Sequence, residues 1–320
     1  MVYEIAKKKF VKRPKKHFRK QYLKCNIELY IIMLPVIILL FIFSYIPMYG
    51  VIIAFQNYIP GKPFIAFDGS VTWVGLKHFE RFISSIYFGR LFSNTLLLSL
   101  YSLLFGFWIP IGFALMLNEI KNAKYKKVVQ TASYLPYFIS SVVVAGIVLS
   151  FIRTDGIVNN LIAVFGFPRQ SYNVNSNAFP VIYTITNIWK SFGWDAIIYL
   201  AAISSIDPFL YESAQLDGAS RLKQIRFITI PLIMPTVAIL LIFAVGSILQ
   251  ANSELILLLY NPSVYEKADV IGTYVYRVGM LEKGNFSYAS AISLFASVIN
   301  FMLLSLANFI SKKISNYGLW

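Results

Sequence analysis

The chain has 320 residues, of which 58% are hydrophobic and 13% are charged, and its mean hydropathy is +0.65. This composition excludes an ordinary soluble domain of this size and predicts an all-α integral membrane protein. The formal net charge of +15 does not indicate a nucleic-acid partner, because the basic residues lie at the ends of apolar segments and not along one face.

A basic arm, residues 1–26, opens the chain and holds ten lysines and arginines. Such an arm is typical of a cytoplasmic tail attracted to anionic lipid, and a nucleic-acid-binding arm is the less favoured alternative. The apolar stretch after it is too long for a cleaved signal peptide. The single cysteine, Cys25, excludes an internal disulfide, and two histidines, His17 and His78, do not indicate a metal site.

Windows without any charged side chain recur along the chain. They lie between Glu28 and Lys62, Arg90 and Glu119, Lys127 and Arg153, Arg226 and Glu254, and Lys283 and Lys312. Each predicts a membrane span, because about 20 apolar residues cross the hydrocarbon core. A further segment, about 179–204, is apolar apart from Lys190 and Asp195. The sequence therefore predicts six transmembrane helices in one domain over residues 27–311, followed by a short tail, 312–320.

The distribution of basic residues predicts the orientation of these spans. The arm, the connectors at 118–130 and 205–230 and the tail hold nineteen lysines and arginines, against nine in the alternate connectors. This asymmetry places both termini in the cytoplasm. The outer loops, 56–91 and 256–286, carry aromatic residues that form either a docking face or the aromatic belt of helix ends: Tyr58, Trp73, Tyr87, Tyr260, Tyr265, Tyr274 and Tyr276.

Polar residues within or near the spans are candidates for a substrate pathway. Lys190 and Asp195 lie in the predicted fourth span, where a charge is costly unless it is paired or faces water. We expect Lys190 and Asp195 each either to line a pathway or to contact a neighbouring helix. Asn252 and Glu254 lie near the outer end of the fifth span, and Glu254 faces substrate or marks the water boundary.

Motifs for catalysis are absent from the sequence. It contains no G-x-x-x-x-G-K-[ST], no G-x-G-x-x-G after a strand, no H-E-x-x-H and no G-x-S-x-G. We therefore expect no catalytic residue, no metal and no cofactor on this chain, and no ATP hydrolysis by it.

The stretch from Asp207 to Pro235 is charged although apolar segments flank it. Asp207 followed by Pro208 predicts a helix start, and Gly218 can turn the chain in a left-handed conformation. A second helix is expected to bury one apolar face, to expose three basic residues and to end at Pro231. The apolar positions are Leu222, Ile225 and Ile228, and the basic ones are Arg221, Lys223 and Arg226. An amphipathic connector lying on the membrane is the simpler alternative.

Within this stretch a longer pattern is present: Glu212-Ser213-Ala214, three residues, Gly218, nine residues, and Ile228-Thr229-Ile230-Pro231. It resembles the EAA loop of bacterial ABC importer permeases, E-A-A-x3-G-x9-I-x-L-P. The departures are Ser213 for alanine and Ile230 for leucine, both of similar volume. Segments from 45–58 to 261–279 resemble the oligosaccharide and polysaccharide branch of the same permeases.

This resemblance implies the transmembrane domain of a type I importer, two halves of which form the pore in the bacterial cytoplasmic membrane. The EAA segment would be a coupling helix that docks on a cytoplasmic ATPase dimer, which binds ATP and Mg²⁺. The residues implied in coupling are Glu212, Ser213, Ala214, Asp217, Gly218, Ile228 and Pro231. The other implied partners are a second permease, an extracytoplasmic solute-binding protein and an oligosaccharide or polysaccharide fragment.

Three other classes of protein are alternatives to an importer permease. A secondary transporter needs acidic residues in several spans or inverted repeats, and only Asp195 and Glu254 are available. A membrane enzyme needs a nucleophile, a metal or an acid/base pair, and the sequence offers none. A membrane subunit that recruits an ATPase without transporting anything stays open.

Overall fold

The computed structural model describes residues 27–65, 71–282, 284–315 and 317–320. The basic arm with Cys25 and His17, and also Lys283, lie outside the described residues. The described residues form helices joined by turns; they contain no β-strand and one isolated antiparallel bridge, between Gln56 and Trp73. The predicted all-α class is confirmed.

The chain divides into two units, residues 1–52 and 53–320. In the first unit, helix α1 (Ile27–Leu40) continues through a π turn (Phe41–Tyr45) and a short helical piece (Ile46–Met48) into a 3₁₀ turn (Tyr49–Phe55). A helix that is apolar on all sides is typical of a membrane span.

The second unit contains the remaining helices. In chain order they are α2 (Lys77–Ile83), α3 (Phe88–Tyr101), α4 (Trp108–Glu119), α5 (Ala123–Phe138), α6 (Ser141–Ile152), α7 (Ile157–Val164), α8 (Phe179–Ser204), α9 (Pro208–Leu216), α10 (Arg221–Gln224), α11 (Ile230–Gly246), α12 (Ser253–Leu259), α13 (Tyr265–Ala268), α14 (Ile271–Tyr276) and α15 (Phe286–Ser315). Three π turns, Ser102–Gly106, Ile225–Thr229 and Arg277–Leu281, continue helices without breaking them.

Five runs of described helix are long and apolar enough to cross a membrane: Leu29–Phe55, Phe88–Glu119, Ser141–Val164, Arg221–Gly246 and Phe286–Ile314. The predicted fourth span is α8, a helix of 26 residues that is not among the five. Its polar side chains lower its hydropathy, so the count of six is not confirmed as a whole and the crossing of α8 stays a prediction. The third run also differs from the predicted window, since it joins α6 to α7 across a turn at 153–156.

Helix α8 lies at the centre of the packing. It packs against α4, α5 and α11, and α11 in turn packs along α15. One buried cluster joins α4, α8 and α11 through residues that include Ala114, Leu117, Ala196, Tyr199, Ile203 and Ile233. A second cluster joins α3, α6, α8 and α12, and a third joins α2, α3, α14 and α15. The core therefore holds α8 from several sides; Thr184, Thr186 and Tyr199 of this helix are buried, whereas Asp195 is exposed.

Helices α5 and α8 approach closely at Gly193. This glycine is buried, and a Cβ built on it would overlap the backbone carbonyl of Ser133. We expect Gly193→Ala to force the two helices apart and to lower the free energy of unfolding by about 1–3 kcal/mol. Thermal unfolding of the detergent-solubilised protein measures this loss.

The control for this prediction is Gly106→Ala, on another side of α8. There the added Cβ would lie 3.5 Å from Ile188 Cγ1, which is an ordinary contact. An equal loss of stability in both variants would contradict the close approach at Gly193.

Candidate functional site

The segment that resembles an EAA loop, residues 207–231, is here called the coupling segment. Its first helix, α9, begins as predicted: the Asp207 side chain accepts a hydrogen bond from the Phe209 N–H at 3.0 Å, and Pro208 occupies the first helical turn. Such a cap satisfies a backbone donor that the helix leaves free. The start of α9 is therefore fixed by two adjacent residues.

The end of α9 is fixed by Gly218. Its φ is +74°, in the left-handed region that glycine adopts without a Cβ clash. The Ala219 N–H donates to the Ala214 carbonyl at 2.9 Å, and the Gly218 N–H donates to the Gln215 carbonyl at 3.0 Å. These two bonds are those of a Schellman motif, which closes a helix and reverses the chain. The predicted left-handed turn is confirmed.

The second half of the coupling segment differs from the prediction. Pro231 does not end it, because the helix runs without a break from Arg221 to Gly246. The π turn before the proline explains this: the Ile230 N–H bonds to the Ile225 carbonyl five residues back, so the widened turn accommodates a residue that lacks an N–H.

The predicted apolar face of this second helix is also wrong in part. Leu222 is 79% exposed, whereas Ile225 and Ile228 are half-buried. The fully buried positions are polar, Gln224 and Thr229. The Gln224 Nε2 donates to the Ala219 carbonyl at 3.0 Å, so this side chain supports the turn at Gly218, a role that hydrophobic periodicity does not predict.

The outward face of the coupling segment combines acidic and apolar side chains. Glu212 and Asp217 are exposed, and so are Phe209 (67%) and Leu216 (91%). Ser213 and Ala214 are half-buried small residues, so α9 is slim at these two positions. The Tyr211 hydroxyl lies 2.9 Å from Thr229 Oγ1, which ties α9 to the helix that follows. An anchored helix with exposed leucine and phenylalanine is suited to docking in a groove of another protein.

A polar cavity of about 400 Å³ lies beside α8. Its lining includes five α8 residues that recur every fourth position: Tyr183, Asn187, Ser191, Asp195 and Tyr199. The remaining walls come from α3, the π turn at Ser102–Gly106, α4, α11 and residues 247–252. Asp195 is the one charged side chain among the described residues that line it. The cavity therefore offers hydroxyl, amide and carboxylate groups to a ligand.

Asn252 closes one side of this cavity. Its backbone N–H donates to the Tyr183 hydroxyl at 3.0 Å and its Nδ2 donates to Asn187 Oδ1 at 3.2 Å. The same side chain caps α12 by accepting from the Leu255 N–H at 3.2 Å. Asn252 therefore joins α8 to the start of α12 at the cavity wall.

The four predicted pathway residues do not all lie together. Asp195 and Asn252 line the cavity, whereas Lys190 and Glu254 do not. The Lys190 ammonium donates to Ser141 Oγ on α6 at 2.6 Å, and Glu254 is exposed in the first turn of α12. A pathway role for Lys190 and Glu254 stays a prediction that their position does not support.

An ion-pair cluster in the loop between α12 and α15 was not predicted. Asp269 is completely buried, and its carboxylate lies 2.7 Å from Arg277 Nη2 and 3.4 Å from Arg90 Nη2. It also accepts from Thr273 Oγ1 at 2.8 Å, and its carbonyl accepts from Asn94 Nδ2 at 3.0 Å. Burial lowers the pKa of Arg277, but the hydrogen bond and charge of Asp269 raise it more, so the net pKa lies above its ordinary value.

The aromatic residues of the outer loops divide between core and surface. Tyr274 is buried beside Tyr87, with ring centroids 5.6 Å apart. Trp73, Tyr87 and Tyr276 are exposed, which leaves only part of the predicted set for docking or for the membrane interface. Burial of Tyr274 follows from its place at the core between α14 and α15.

Comparison with known proteins identifies the family of the chain. Residues 106–316 match the family described as binding-protein-dependent transport system inner membrane component. The polygalacturonan/rhamnogalacturonan transport system permease protein YteP of Bacillus subtilis (strain 168) is 41% identical over 310 residues, which cover 96% of this chain and 95% of that one. Protein LplB of the same organism is 38% identical over 299 residues, covering 93% and 92%.

Comparison with solved structures supports the same family. A chain from the crystal structure of a bacterial ABC transporter involved in the import of the acidic polysaccharide alginate is 44% identical, with a TM-score of 0.81 over 92% of this chain and 98% of that one. A chain from the alginate transporter in complex with an alginate pentasaccharide-bound periplasmic protein is also 44% identical, with a TM-score of 0.80 over 93% and 99%. The fold is that of a type I ABC importer permease, and the chain belongs to the family of binding-protein-dependent transport system inner membrane components.

Proposed function

We propose that this permease forms one half of the pore of an importer that moves an oligosaccharide or polysaccharide fragment across the bacterial cytoplasmic membrane. The observation that carries the proposal is the polar stripe on α8, Tyr183 to Asp195 and Tyr199, which faces a cavity of about 400 Å³ inside an otherwise apolar helical domain. Saccharide hydroxyls need hydrogen-bond partners when they leave water, and this lining supplies them.

The energy for transport would come from a separate ATPase dimer that binds ATP and Mg²⁺. The sequence contains no phosphate-binding loop, and the coupling segment presents an anchored helix with exposed Phe209, Leu216 and Glu212. Closure of the ATPase dimer would push the coupling segments of two permeases together. The helices that follow them would then open the pore alternately to each side of the membrane.

The remaining partners are proposed from the relatives. One of the related transporters has been solved with a saccharide-bound periplasmic protein. By analogy, an extracytoplasmic solute-binding protein would deliver the saccharide to the outer loops of this chain, while the cytoplasmic side would hold both termini. A second permease would complete the pore, because two such halves form the pore of a type I importer.

The test is uptake of labelled oligosaccharides into proteoliposomes that contain the complete importer. We expect Asp195→Ala to lower uptake by about tenfold, since one lost hydrogen bond to a charged acceptor is worth about 1.5 kcal/mol or more. Asp195→Asn keeps an acceptor oxygen and should retain more uptake. Ser297→Ala, an exposed position on α15 away from the cavity, is the matched control.

Two results would count against the proposal. Normal uptake by Asp195→Ala would show that the saccharide does not pass through this cavity. If the wild-type complex hydrolyses ATP but takes up none of the saccharides, the chain would be a membrane subunit that recruits an ATPase without transporting anything.

A further inference from the structure

A second polar pocket, of about 370 Å³, lies where helix α6 ends. It is lined by Arg153, Thr154, Asp155, Arg169, Ser171 and Asn173. These residues come from the turn between α6 and α7 and from the segment after α7. The pocket is separate from the α8 cavity, with which it shares no lining residue.

A buried asparagine builds this pocket. Asn159 on α7 is completely buried, and its Nδ2 donates to the carbonyls of Arg153 at 2.7 Å and Gln170 at 2.8 Å. Its Oδ1 accepts from the Gln170 N–H at 2.9 Å. Three hydrogen bonds from one side chain hold the two chain segments together, so the backbone at Arg153 is held beside the backbone that follows Arg169.

The charges in the pocket favour an oxyanion. Arg153 pairs with Asp155 at 3.2 Å, but both side chains are well exposed, so this pair stabilises little and can open. Arg169 is exposed and has no ion-pair partner in the described part of the chain. The hydroxyls of Thr154 and Ser171 lie 3.3 Å apart and hydrogen-bond to each other, and the Ser171 hydroxyl also donates to Asn173 Oδ1 at 3.3 Å. Two guanidinium groups with nearby hydroxyls are the groups that bind phosphate.

The surface beside the pocket is apolar. Ile157, Leu161 and Val164 recur at helical spacing on α7 and are 54%, 60% and 81% exposed. Phe165 and Phe167 follow them and are 78% and 64% exposed. An outward apolar stripe of this kind is typical of a helix that lies against lipid at the membrane interface. A cationic pocket next to such a helix is placed where phospholipid headgroups lie.

We propose that this pocket binds the phosphodiester group of a membrane phospholipid, with Arg153 and Arg169 as the phosphate ligands. The acyl chains of the lipid would lie against the apolar stripe of α7. The site would fix the end of α6, at the turn within the third run Ser141–Val164, at a set depth in the bilayer.

The experiment measures lipid retention by native mass spectrometry of the complete importer released from nanodiscs that contain phosphatidylglycerol. We expect the double variant Arg153→Gln, Arg169→Gln to retain about tenfold less phosphatidylglycerol than wild type, because each lost contact is a charged hydrogen bond. The control is Lys124→Gln, Lys127→Gln, which removes the same charge from exposed positions on α5. It should retain lipid as wild type does.

Further arms separate the possible ligands. Phe165→Ser, Phe167→Ser keeps the arginines and should lower retention of phosphatidylglycerol while leaving the binding of inorganic phosphate unchanged. If inorganic phosphate displaces the lipid at equal concentration, the pocket is a soluble-anion site and the proposal is wrong. It is also wrong if the arginine variant retains lipid normally but loses stimulation of ATP hydrolysis by a saccharide-loaded binding protein, since the pocket would then serve that protein.

Discussion

Replacement of Gly218 by valine should leave the amount of permease in the membrane unchanged and should lower saccharide uptake by the complete importer at least about tenfold, the factor given by about 1.4 kcal/mol. The added side chain has open space around it, so a clash is not the cause. The cause is the φ of +74°, where an ordinary L residue is destabilised by about 1–2 kcal/mol and a β-branched one by more. The Schellman turn would open, and α9 would lose its fixed angle to the helix that begins at Arg221.

The measurements for this prediction are uptake of labelled saccharide in proteoliposomes and ATP hydrolysis by the same preparation. Hydrolysis should persist but should no longer respond to a loaded binding protein. Gly218→Asn is the matched variant, because asparagine adopts the left-handed region more easily, and it should keep most of the uptake. Gly61→Val introduces similar strain at φ +91°, far from the coupling segment in sequence, and is the control. Normal coupling in Gly218→Val would refute the role of this turn.

Replacement of Asp269 by alanine should have the largest effect on stability. The change removes the carboxylate that holds Arg277 and Arg90, and it leaves two guanidinium groups facing each other in a site that was built around an anion. Loss of one partner from a buried ion pair lowers the free energy of unfolding by about 3–5 kcal/mol. Thermal unfolding of the solubilised permease, together with the yield of monodisperse protein, measures this effect.

The exposed pair Arg153–Asp155 provides the comparison. Its side chains are 65% and 74% exposed, so Asp155→Ala should change stability by less than about 1 kcal/mol. The double variant Asp269→Leu, Arg277→Met should recover part of the loss, because an apolar pair of similar volume leaves only one uncompensated guanidinium. A loss at Asp269 no larger than at Asp155 would mean that the cluster does not stabilise the loop.

Much of the fold and of the coupling segment could be predicted from sequence because the signals are local. Charge-free windows report length and polarity alone, and a cap such as Asp207 or a turn such as Gly218 depends on neighbours within a few residues. The end of the second helix could not be predicted in the same way. Pro231 normally breaks a helix, and nothing local in the sequence shows that a π turn precedes it.

The polar cavity was predicted only in part. The charge of Asp195 within a span predicts a place on the pathway. Four other residues of the same helix line the cavity but are uncharged, so this criterion does not find them: Tyr183, Asn187, Ser191 and Tyr199. Their spacing of four residues was a signal that helical periodicity, applied to polar residues, could have found. Lys190 carries a charge in the same helix but bonds to Ser141. Only the packing of α6 against α8 distinguishes it from Asp195.

The cluster around Asp269 could not be predicted by any local pattern. Its partners Arg90 and Asn94 are more than 170 residues away in sequence and belong to α3. Contacts of that separation depend on how the whole domain packs. The sequence shows a loop with scattered charges, and the structure shows that two of them, Asp269 and Arg277, share one site with Arg90 of α3.

The unbroken helix from Arg221 to Gly246 has a mechanical consequence. It begins three residues after the turn at Gly218 and ends one residue before Ser247, which lines the α8 cavity. A helix of 26 residues is about 39 Å long and would act as a lever between these two places. A tilt of about 10° at the Arg221 end would therefore displace the far end by about 7 Å, which exceeds the diameter of a water molecule and approaches the width of a sugar ring. Pro231 does not end this helix. It is therefore part of the helix that would transmit a movement of the ATPase to the wall of the α8 cavity.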